Sequence, residues 1–264
     1  MSKKIAIIGG GNLGIAIAEG LLNSKFCKAI DITVTRRQVQ LLDGLSKKGI
    51  KVSADNAQAV RQSDVIILAV KPFQAADVLA GFREELAPGK MLISVVTGVM
   101  MADISDIVKK KLSFFRAMPN TAISIGESMT CICSLHASKA DEKYVADLFG
   151  RLGKVVYISE NLMDAATILG ACGTAYAMRY IRASIQGGIE IGFDAATASL
   201  IAAQTVKGAA QMLLENGTHP EQEIDKVTTP RGCTIAGLNE MEHGGFSSSL
   251  IKGIVASHRK IARD

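Results

Sequence analysis

The chain contains no tryptophan, and only 5% of its 264 residues are aromatic. A folded core must therefore be built from aliphatic side chains and alanine. Cysteine is scarce and badly spaced for a structural role: Cys27, Cys131, Cys133, Cys172 and Cys233 form no Cys-x-x-Cys pair and are odd in number. The four histidines are scattered, so no Cys/His cluster is available for a metal, and none is expected. Free thiols in a reducing cytosol are expected instead, with Cys131 and Cys133 packed on one face of a strand rather than paired. Long blocks of like charge are missing too. The net charge of +5 is modest and spread out, which argues against nucleic acid as a partner and leaves a basic pocket for a small anion. The start, Met1-Ser-Lys-Lys, runs straight into apolar Ile5 to Ile8 without signal-peptide grammar. Ala165 to Met178, a charge-free stretch in the most suspicious helical region, is too short to span a bilayer. A soluble, cytoplasmic protein with no membrane partner is expected.

What is present is an apolar, low-charge chain, 48% hydrophobic and 21% charged, long enough for one large or two ordinary domains. Its first half alternates strand and helix signals. Residues 4–8 form a short apolar run closed by glycine, followed by Gly9-Gly-Gly-Asn-Leu-Gly14 and a helix through Asn23. Ile30 to Thr35 reads as a second strand, and a polar helix over roughly 38–48 leads to a short strand near Val52. Asp64 to Val70 and Met91 to Val96 read as fully buried strands, with a helix around 74–86 between them. Phe114 to Thr121 leaves a strand through Met118-Pro-Asn120; Met129 to Ser134 and Val155 to Ser159 are two further strands around a helix at 139–152. This alternation predicts an α/β fold with a doubly wound, largely parallel sheet of Rossmann type over residues 1–160.

From 161 to 264 the pattern is helical only. A helix over about 162–186 carries Gly170, Ala171, Gly173, Ala175 and Ala177 among larger apolar residues, Asp194 caps a second that ends at Gly217, and Pro220 starts a third. A helix apolar nearly all round must be buried. So many apolar helices in so small a domain predict burial against a second copy of the chain, an all-α dimerisation domain.

Gly9, Gly11 and Gly14 stand in a Gly-x-Gly-x-x-Gly array between a buried strand and an amphipathic helix. In that context the first glycine makes the tight turn, the second admits the pyrophosphate, and the third lets helix and strand approach; the helix N-terminus faces the phosphates. Asn12 and Leu13 lie within that turn. NAD-binding chains commonly carry a carboxylate at the end of the second strand to hold the ribose. Here Thr35-Arg36-Arg37 occupies that place, which suits a 2′-phosphate and predicts NADPH, with NADH as the alternative. Lys71 follows Ala69-Val70 and precedes Pro72 at the C-terminal end of a strand, where open α/β sheets bind ligands. Far away, Asp225-Lys-Val-Thr-Thr-Pro-Arg-Gly-Cys-Thr234 is a polar loop that delivers backbone N–H groups to the start of a helix, a place for an anion. An N-cap is the bland role for Thr234.

Taken together, the glycine turn, Val70-Lys-Pro72, Arg116-Ala-Met-Pro-Asn-Thr121, the Gly/Ala-rich helix and the Thr-Thr-Pro loop resemble the pyrroline-5-carboxylate reductase family over nearly the whole length and in the same order. The resemblance implies reduction of 1-pyrroline-5-carboxylate to L-proline with NAD(P)H, the last step of proline synthesis. It also implies a Rossmann domain followed by an α-helical dimerisation domain, a homodimer, and further assembly of dimers. By motif, Gly11, Asn12 and Leu13 take the pyrophosphate, Thr35 to Arg37 the adenosine 2′-phosphate, and Asn56 the adenosine ribose. Ala69, Val70, Lys71 and Pro72 lie along the nicotinamide half with Met118, Pro119 and Asn120. Thr234 meets the ring nitrogen of the imine, and Gly232, Cys233 and Thr234 offer amides to its carboxylate. Thr229, Arg231, Lys71 and Asn120 complete the expected substrate site. Hydride transfer to an iminium carbon needs positioning more than a strong acid, so the absence of an evident catalytic His or Lys is compatible with this chemistry.

Three departures bear on the substrate. Arg231 stands where the family has the first of two glycines, and it either strains the loop, should that position need positive φ, or adds a charged carboxylate contact. Ala171 and Thr174 replace a Gly and a Pro of the Gly/Ala-rich helix. Thr121-Ala122 stands where Thr-Pro is common. The alternatives they leave open are a reductase of another imine acid and a non-catalytic NADPH-binding paralogue.

Overall fold

The computed structural model describes residues 3–261; the Met1-Ser2 start and the last three residues of the predicted second domain lie outside the described residues. The chain forms two compact units, Met1–Cys172 and Gly173–Asp264.

The first unit is built on one eight-stranded sheet. In chain order it runs β1 (Ile5–Ile8), α1 (Asn12–Asn23), β2 (Ile32–Thr35), α2 (Asp43–Lys47), β3 (Lys51–Ser53), α3 (Asn56–Arg61) and β4 (Val65–Leu68). Then follow α4 (Ala75–Phe82), β5 (Met91–Ser94), α5 (Met101–Val108), β6 (Ser113–Met118), β7 (Ser128–Leu135), α6 (Lys139–Gly150) and β8 (Gly153–Tyr157). The strand order is β3-β2-β1-β4-β5-β6-β7-β8. Strands β1 to β6 run parallel, while β7 pairs antiparallel with β6 and parallel with β8. The doubly wound expectation therefore stands, with a reversed pair added at one edge.

The continuous apolar runs are explained by burial on both faces. Side chains alternate across a strand, so Ile5 and Ile7 join Ile17 and Leu21 of α1 on one side. Ala6 and Ile8 join Leu79 and Phe82 of α4 and Ile104 of α5 on the other. Cys131 and Cys133 share this second side; burial pushes the Cys133 thiol up to about 11, with Glu160 acting in the same direction and Arg116 against it. Such a thiol stays protonated, in keeping with packing rather than reactivity.

Several helices are shorter than their sequence signals. Ala29–Asp31 is a 3₁₀ turn, so β2 begins at Ile32. The polar stretch 38–48 splits into a 3₁₀ turn, Val39–Leu42, and α2, because only Leu42 and Leu45 are buried to hold it. Residues 74–86 likewise divide into α4 flanked by 3₁₀ turns. Isolated helical turns are costly to nucleate, and few buried contacts sustain them. Two helices without a strong sequence signal, α3 and α5, owe their place to burial of Ala59, Val60, Met101, Ile104 and Val108.

Among the described residues of this unit, one charged side chain is buried. Arg116 on β6 is 1% exposed, and its Nη1 donates to Glu160 Oε1 at 3.0 Å and to Met100 Sδ at 3.2 Å. Glu160 Oε1 also accepts the Met101 backbone N–H at 2.7 Å, so one carboxylate serves the guanidinium and the start of α5 together. Asp164 Oδ1 stands 4.0 Å from Nη2. A buried guanidinium needs such a partner, since desolvation of an unpaired charge costs several kcal/mol.

The helical run that begins with the 3₁₀ turn Glu160–Leu162 continues through α7 (Met163–Ala166) and a π turn at Thr167–Cys172. The second unit then comprises α8 (Gly173–Glu190), α9 (Ala195–Asn216), α10 (Pro220–Val227), α11 (Cys233–His243) and α12 (Phe246–Ile261). Gly188 of α8 faces Ala198 of α9 so closely that an added Cβ would lie 3.1 Å from the alanine's. Tyr176 shares a 2.7 Å hydrogen bond with Ser257 of α12, and Tyr180 meets the Phe246 ring edge-on. The predicted caps are in place: Asp194 Oδ1 accepts from the N–H groups of Ala196 and Thr197, Gly217 ends α9 in the left-handed region, and Pro220 is the first residue of α10. Among the described residues, burial within the unit is confined to Ala198 and Ala202 of α9, and α8, α10, α11 and α12 have no fully buried residue.

Hydrogen bonds from Thr197, side chain and backbone, and then from Ala196 hold the Asp194 carboxyl below its ordinary value. A carboxylate favoured in the folded state contributes stability above its unfolded pKa of about 4, lost as pH falls through the lower folded value. Thermal unfolding followed between pH 6 and 2.5 should show Asp194→Asn, which keeps a cap without the titration, losing less stability over this window than wild type. Parallel curves would remove the cap from the account.

Candidate functional site

The first candidate lies at the C-terminal edge of the sheet around the glycine turn. Gly9 has φ of 115°, a conformation that favours glycine, and a Cβ there would stand 2.4 Å from the Ala69 carbonyl oxygen. A Cβ on Gly14 would stand 2.1 Å from the Gly9 carbonyl oxygen, so α1 rests directly on the turn. Gly11 differs: a Cβ there would meet nothing within 4 Å. It is the N-cap of α1, contributes no side-chain cap, and no acidic residue occupies the first turn. The amides of Asn12 and Leu13 open that turn, leaving an uncapped N-terminus suited to a phosphate.

The turn is held from β2. The N–H groups of Gly9 and Gly10 both donate to the Thr35 carbonyl, at 3.2 and 2.7 Å, and Arg36 Nη1 donates to the Gly10 carbonyl at 2.8 Å. Thr35 is 1% exposed and its hydroxyl is enclosed. Its contribution in this structure is the carbonyl that anchors the turn, so the ligand-facing part of the Thr35-Arg36-Arg37 group falls to half-buried Arg36 and exposed Arg37. Beside them, Asp55 caps α3 through the Gln58 N–H at 2.9 Å, and Asn56 opens that helix. A shallow groove between α3 and α4 is lined by Asn56, Ala57, Asp77, Val78 and Gly81 among others.

On the far side of the turn, Ala69 donates to the Ile8 carbonyl at 2.8 Å, which places Ala69, Val70, Lys71 and Pro72 against the glycines. Lys71 is exposed and extended, and makes no ion pair among the described residues. Met118 and Pro119 are buried at the end of β6. Asn120 is used by the fold: its Oδ1 accepts from the Ala122 N–H at 3.0 Å, its Nδ2 donates to the Gly170 carbonyl in the π turn at 3.2 Å, and its own N–H donates to Ser128 Oγ. Its amide thus fastens the Met-Pro-Asn turn to a π turn, a local helix form often found at functional sites. Sequence reasoning assigned no role to Arg116; its signal was a charge at a position whose neighbours in the strand are all buried and apolar.

The second candidate is the loop before α11. The N-cap of α10 is His219, whose Nδ1 accepts from the Glu221 N–H while Gln222 accepts from the His219 N–H, a capping box. After α10, Thr228 Oγ1 donates back to the Ile224 carbonyl and Gly232 N–H to the Thr229 carbonyl at 3.0 Å. Arg231 adopts φ of 61°, so the position does require the left-handed region that glycine enters freely, at a cost of roughly 1–2 kcal/mol for another residue. Gly232, not Thr234, is the N-cap of α11, without a side-chain cap or an acidic residue in the first turn. Thr234 is half-buried, and its hydroxyl makes no hydrogen bond among the described residues. Cys233 and Thr234 therefore present amides and a hydroxyl at a positive helix end next to an exposed guanidinium, a set suited to a carboxylate.

No group of His, Cys, Asp and Glu among the described residues could hold a metal ion, and no helix of the described residues is long and apolar enough to cross a membrane.

Comparison with known proteins gives concordant matches. Residues 160–263 match the family described as pyrroline-5-carboxylate reductase dimerisation, and residues 4–98 the family described as NADP oxidoreductase, coenzyme F420-dependent. Pyrroline-5-carboxylate reductase 1 of Dictyostelium discoideum is 45% identical over 98% of this chain, which spans about half (49%) of that relative's length. Pyrroline-5-carboxylate reductase 2 of the same organism is 43% identical over 99% of this chain and 93% of its own. The crystal structure of a Plasmodium falciparum pyrroline carboxylate reductase with NADP bound superposes with a TM-score of 0.88 at 27% identity, covering 98% of this chain and 97% of that one.

The glycines separate two effects. Gly14→Ala should disturb the turn itself and lower the melting temperature. Gly11→Ala should leave that temperature within a degree or two and still weaken dinucleotide binding at least tenfold, measured by calorimetry. Undiminished binding by Gly11→Ala would show that no phosphate approaches there.

Proposed function

The chain belongs to the pyrroline-5-carboxylate reductase family, and from that premise we propose that it reduces 1-pyrroline-5-carboxylate to L-proline with NADPH. The observation that carries this reading is the start of α11, an acid-free helix end without a side-chain cap, where the Thr234 hydroxyl makes no hydrogen bond among the described residues. A cyclic imine acid brings the matching partners, a carboxylate and a ring nitrogen.

Bound NADPH supplies the hydride, which is the difficult chemistry. The residues around the glycine turn fit such a group: Gly11 leaves open space, and the amides of Asn12 and Leu13 suit the pyrophosphate. Arg36 and Arg37, with no carboxylate beside them in sequence, support a 2′-phosphate and hence NADPH over NADH. Asn56 stands for the adenosine ribose, and Ala69 to Pro72 and Met118 to Pro119 for the nicotinamide half. Since Asn120 spends its side chain on Ala122 and Gly170, its part is to shape that wall. In the second unit the amides of Gly232 to Thr234 and the charge of Arg231 take the carboxylate, with Thr229 shaping the turn; in the first unit Lys71 adds a positive charge at the nicotinamide half. Thr234 orients the ring nitrogen through its hydroxyl, so the C=N carbon is presented rather than activated by a strong acid.

We assign residues 1–160 to cofactor binding and 161–264 to dimerisation and substrate binding. Match of the second part to a dimerisation family, together with exposed Met178, Leu200, Leu214 and Ile251, supports a homodimer and its further assembly. Five unpaired thiols support a reducing, cytoplasmic setting. A second reading, reduction of another imine acid, is favoured by one observation: Arg231 retains its charge at the expense of a left-handed backbone.

NADPH oxidation with 1-pyrroline-5-carboxylate tests the proposal. Thr234→Ala should lower kcat/KM roughly 10- to 150-fold, the loss of one hydrogen bond to a charged group. Arg231→Gly should raise the melting temperature while raising KM, an effect that shrinks at high salt. No oxidation by wild-type protein, or a higher kcat/KM on another cyclic imine acid, would overturn the substrate assignment.

A further inference from the structure

Phe73 is 80% exposed, the most exposed large apolar side chain among the described residues. Nothing in the sheet or its helices covers it, and the function above leaves it unused. Its place is fixed firmly. It lies in the 3₁₀ turn Pro72–Gln74, whose first φ is set by proline and which is closed by the Gln74 N–H on the Lys71 carbonyl at 2.9 Å. The turn follows β4 by three residues, and β4 pairs directly with β1. Ala69 and Val70 press against Gly9, where a Cβ would lie 2.4 Å from the Ala69 carbonyl and 3.1 Å from Val70 Cγ1. Phe73 thus stands within a few residues of the glycine turn.

A second set of neighbours follows in the chain. The turn leads directly into α4, whose Asp77, Val78 and Gly81 line the groove against Asn56 and Ala57. Phe73 lies in the turn ahead of that helix. Arg36 and Arg37 follow β2, on the other side of β1, so the β2 and β4 ends are about 10 Å apart, two strand spacings. A 2′-phosphate at the arginines and a ribose at Asn56 leave the base of that nucleoside on the Phe73 side. An exposed aromatic face there offers what a neutral purine needs, a flat apolar surface to stack on.

We propose that Phe73 is the stacking platform for the adenine ring of the cofactor, and so a residue that sets affinity for NADPH without touching the reacting atoms. This rests on the NADPH reading above. The backbone beneath the ring is held by a proline-fixed turn, so on binding only the two side-chain torsions of Phe73 have to be ordered.

The absence of tryptophan gives a clean test. In Phe73→Trp, whose indole keeps the platform, titration with adenosine 2′,5′-bisphosphate should quench the only tryptophan fluorescence saturably. Phe73→Ala should raise the Kd for that ligand and the KM for NADPH by roughly 5- to 150-fold, as loss of one base stack does. Its kcat/KM with reduced nicotinamide mononucleotide, a hydride donor without a purine, should equal that of wild type. The assignment is overturned if Phe73→Ala binds the bisphosphate as wild type does, or if both donors suffer equally. A changed oligomeric state in gel filtration with unchanged affinity would overturn it too, by placing Phe73 against a second copy. Failure of wild-type protein to bind the bisphosphate at all is a different result, one that removes the NADPH reading itself.

Discussion

Everything at the edge of the sheet depends on how closely three backbone segments approach one another. Gly14 touches the Gly9 carbonyl, and Gly9 touches the Ala69 carbonyl, with no room for a methyl group at either place. That contact brings the start of α1, the end of β2 through the Thr35 carbonyl, and the end of β4 into one small region. Each then contributes a different chemistry: open amides, guanidinium groups, and the Lys71 to Phe73 turn. A side chain at Gly9 or Gly14 would separate these segments before it altered any ligand contact. The glycines here are packing residues first, and the ligand-binding geometry follows from that packing.

Much of the fold was legible because the parallel strands are buried on both faces. Ile5 to Ile8, Val65 to Leu68 and Met91 to Ile93 are buried and apolar at every position, and an unbroken apolar run bounded by glycine or polar residues is easy to recognise. The caps at Asp194 and Gly217 and the Pro220 start were legible for local reasons, since each satisfies or removes backbone groups within its own turn. The short helices were not. In α2, α3 and α5 a few buried side chains decide the conformation, and a window of five to eight residues carries too little periodicity to show it. Helix boundaries moved where 3₁₀ turns took over the ends.

The site was legible as residue types and less so as roles. Glycine spacing and the arginine pair could be read directly, because each follows from what a dinucleotide requires. That Thr35 gives its backbone carbonyl to the glycine turn, and Asn120 its side-chain amide to a carbonyl 50 residues away, could not. Arg116 escaped notice for the same reason; its partner, Glu160, is 44 residues along the chain. Arg231 was the reverse case. A glycine position taken by arginine raised the question of positive φ from sequence alone, and the backbone answers it.

The two long-range ties, Arg116 to Glu160 and Asn120 to Gly170, also constrain the order in which the chain can assemble. Both join strand β6 or the turn after it to the helical run leading out of the first unit. The sheet must be formed before either tie can close, whereas α8 onward uses partners within its own unit, such as Ser257 and Phe246. During synthesis from the N-terminus the sheet strands emerge first. The π turn is therefore a late seam, closed only once the sheet exists to hold it.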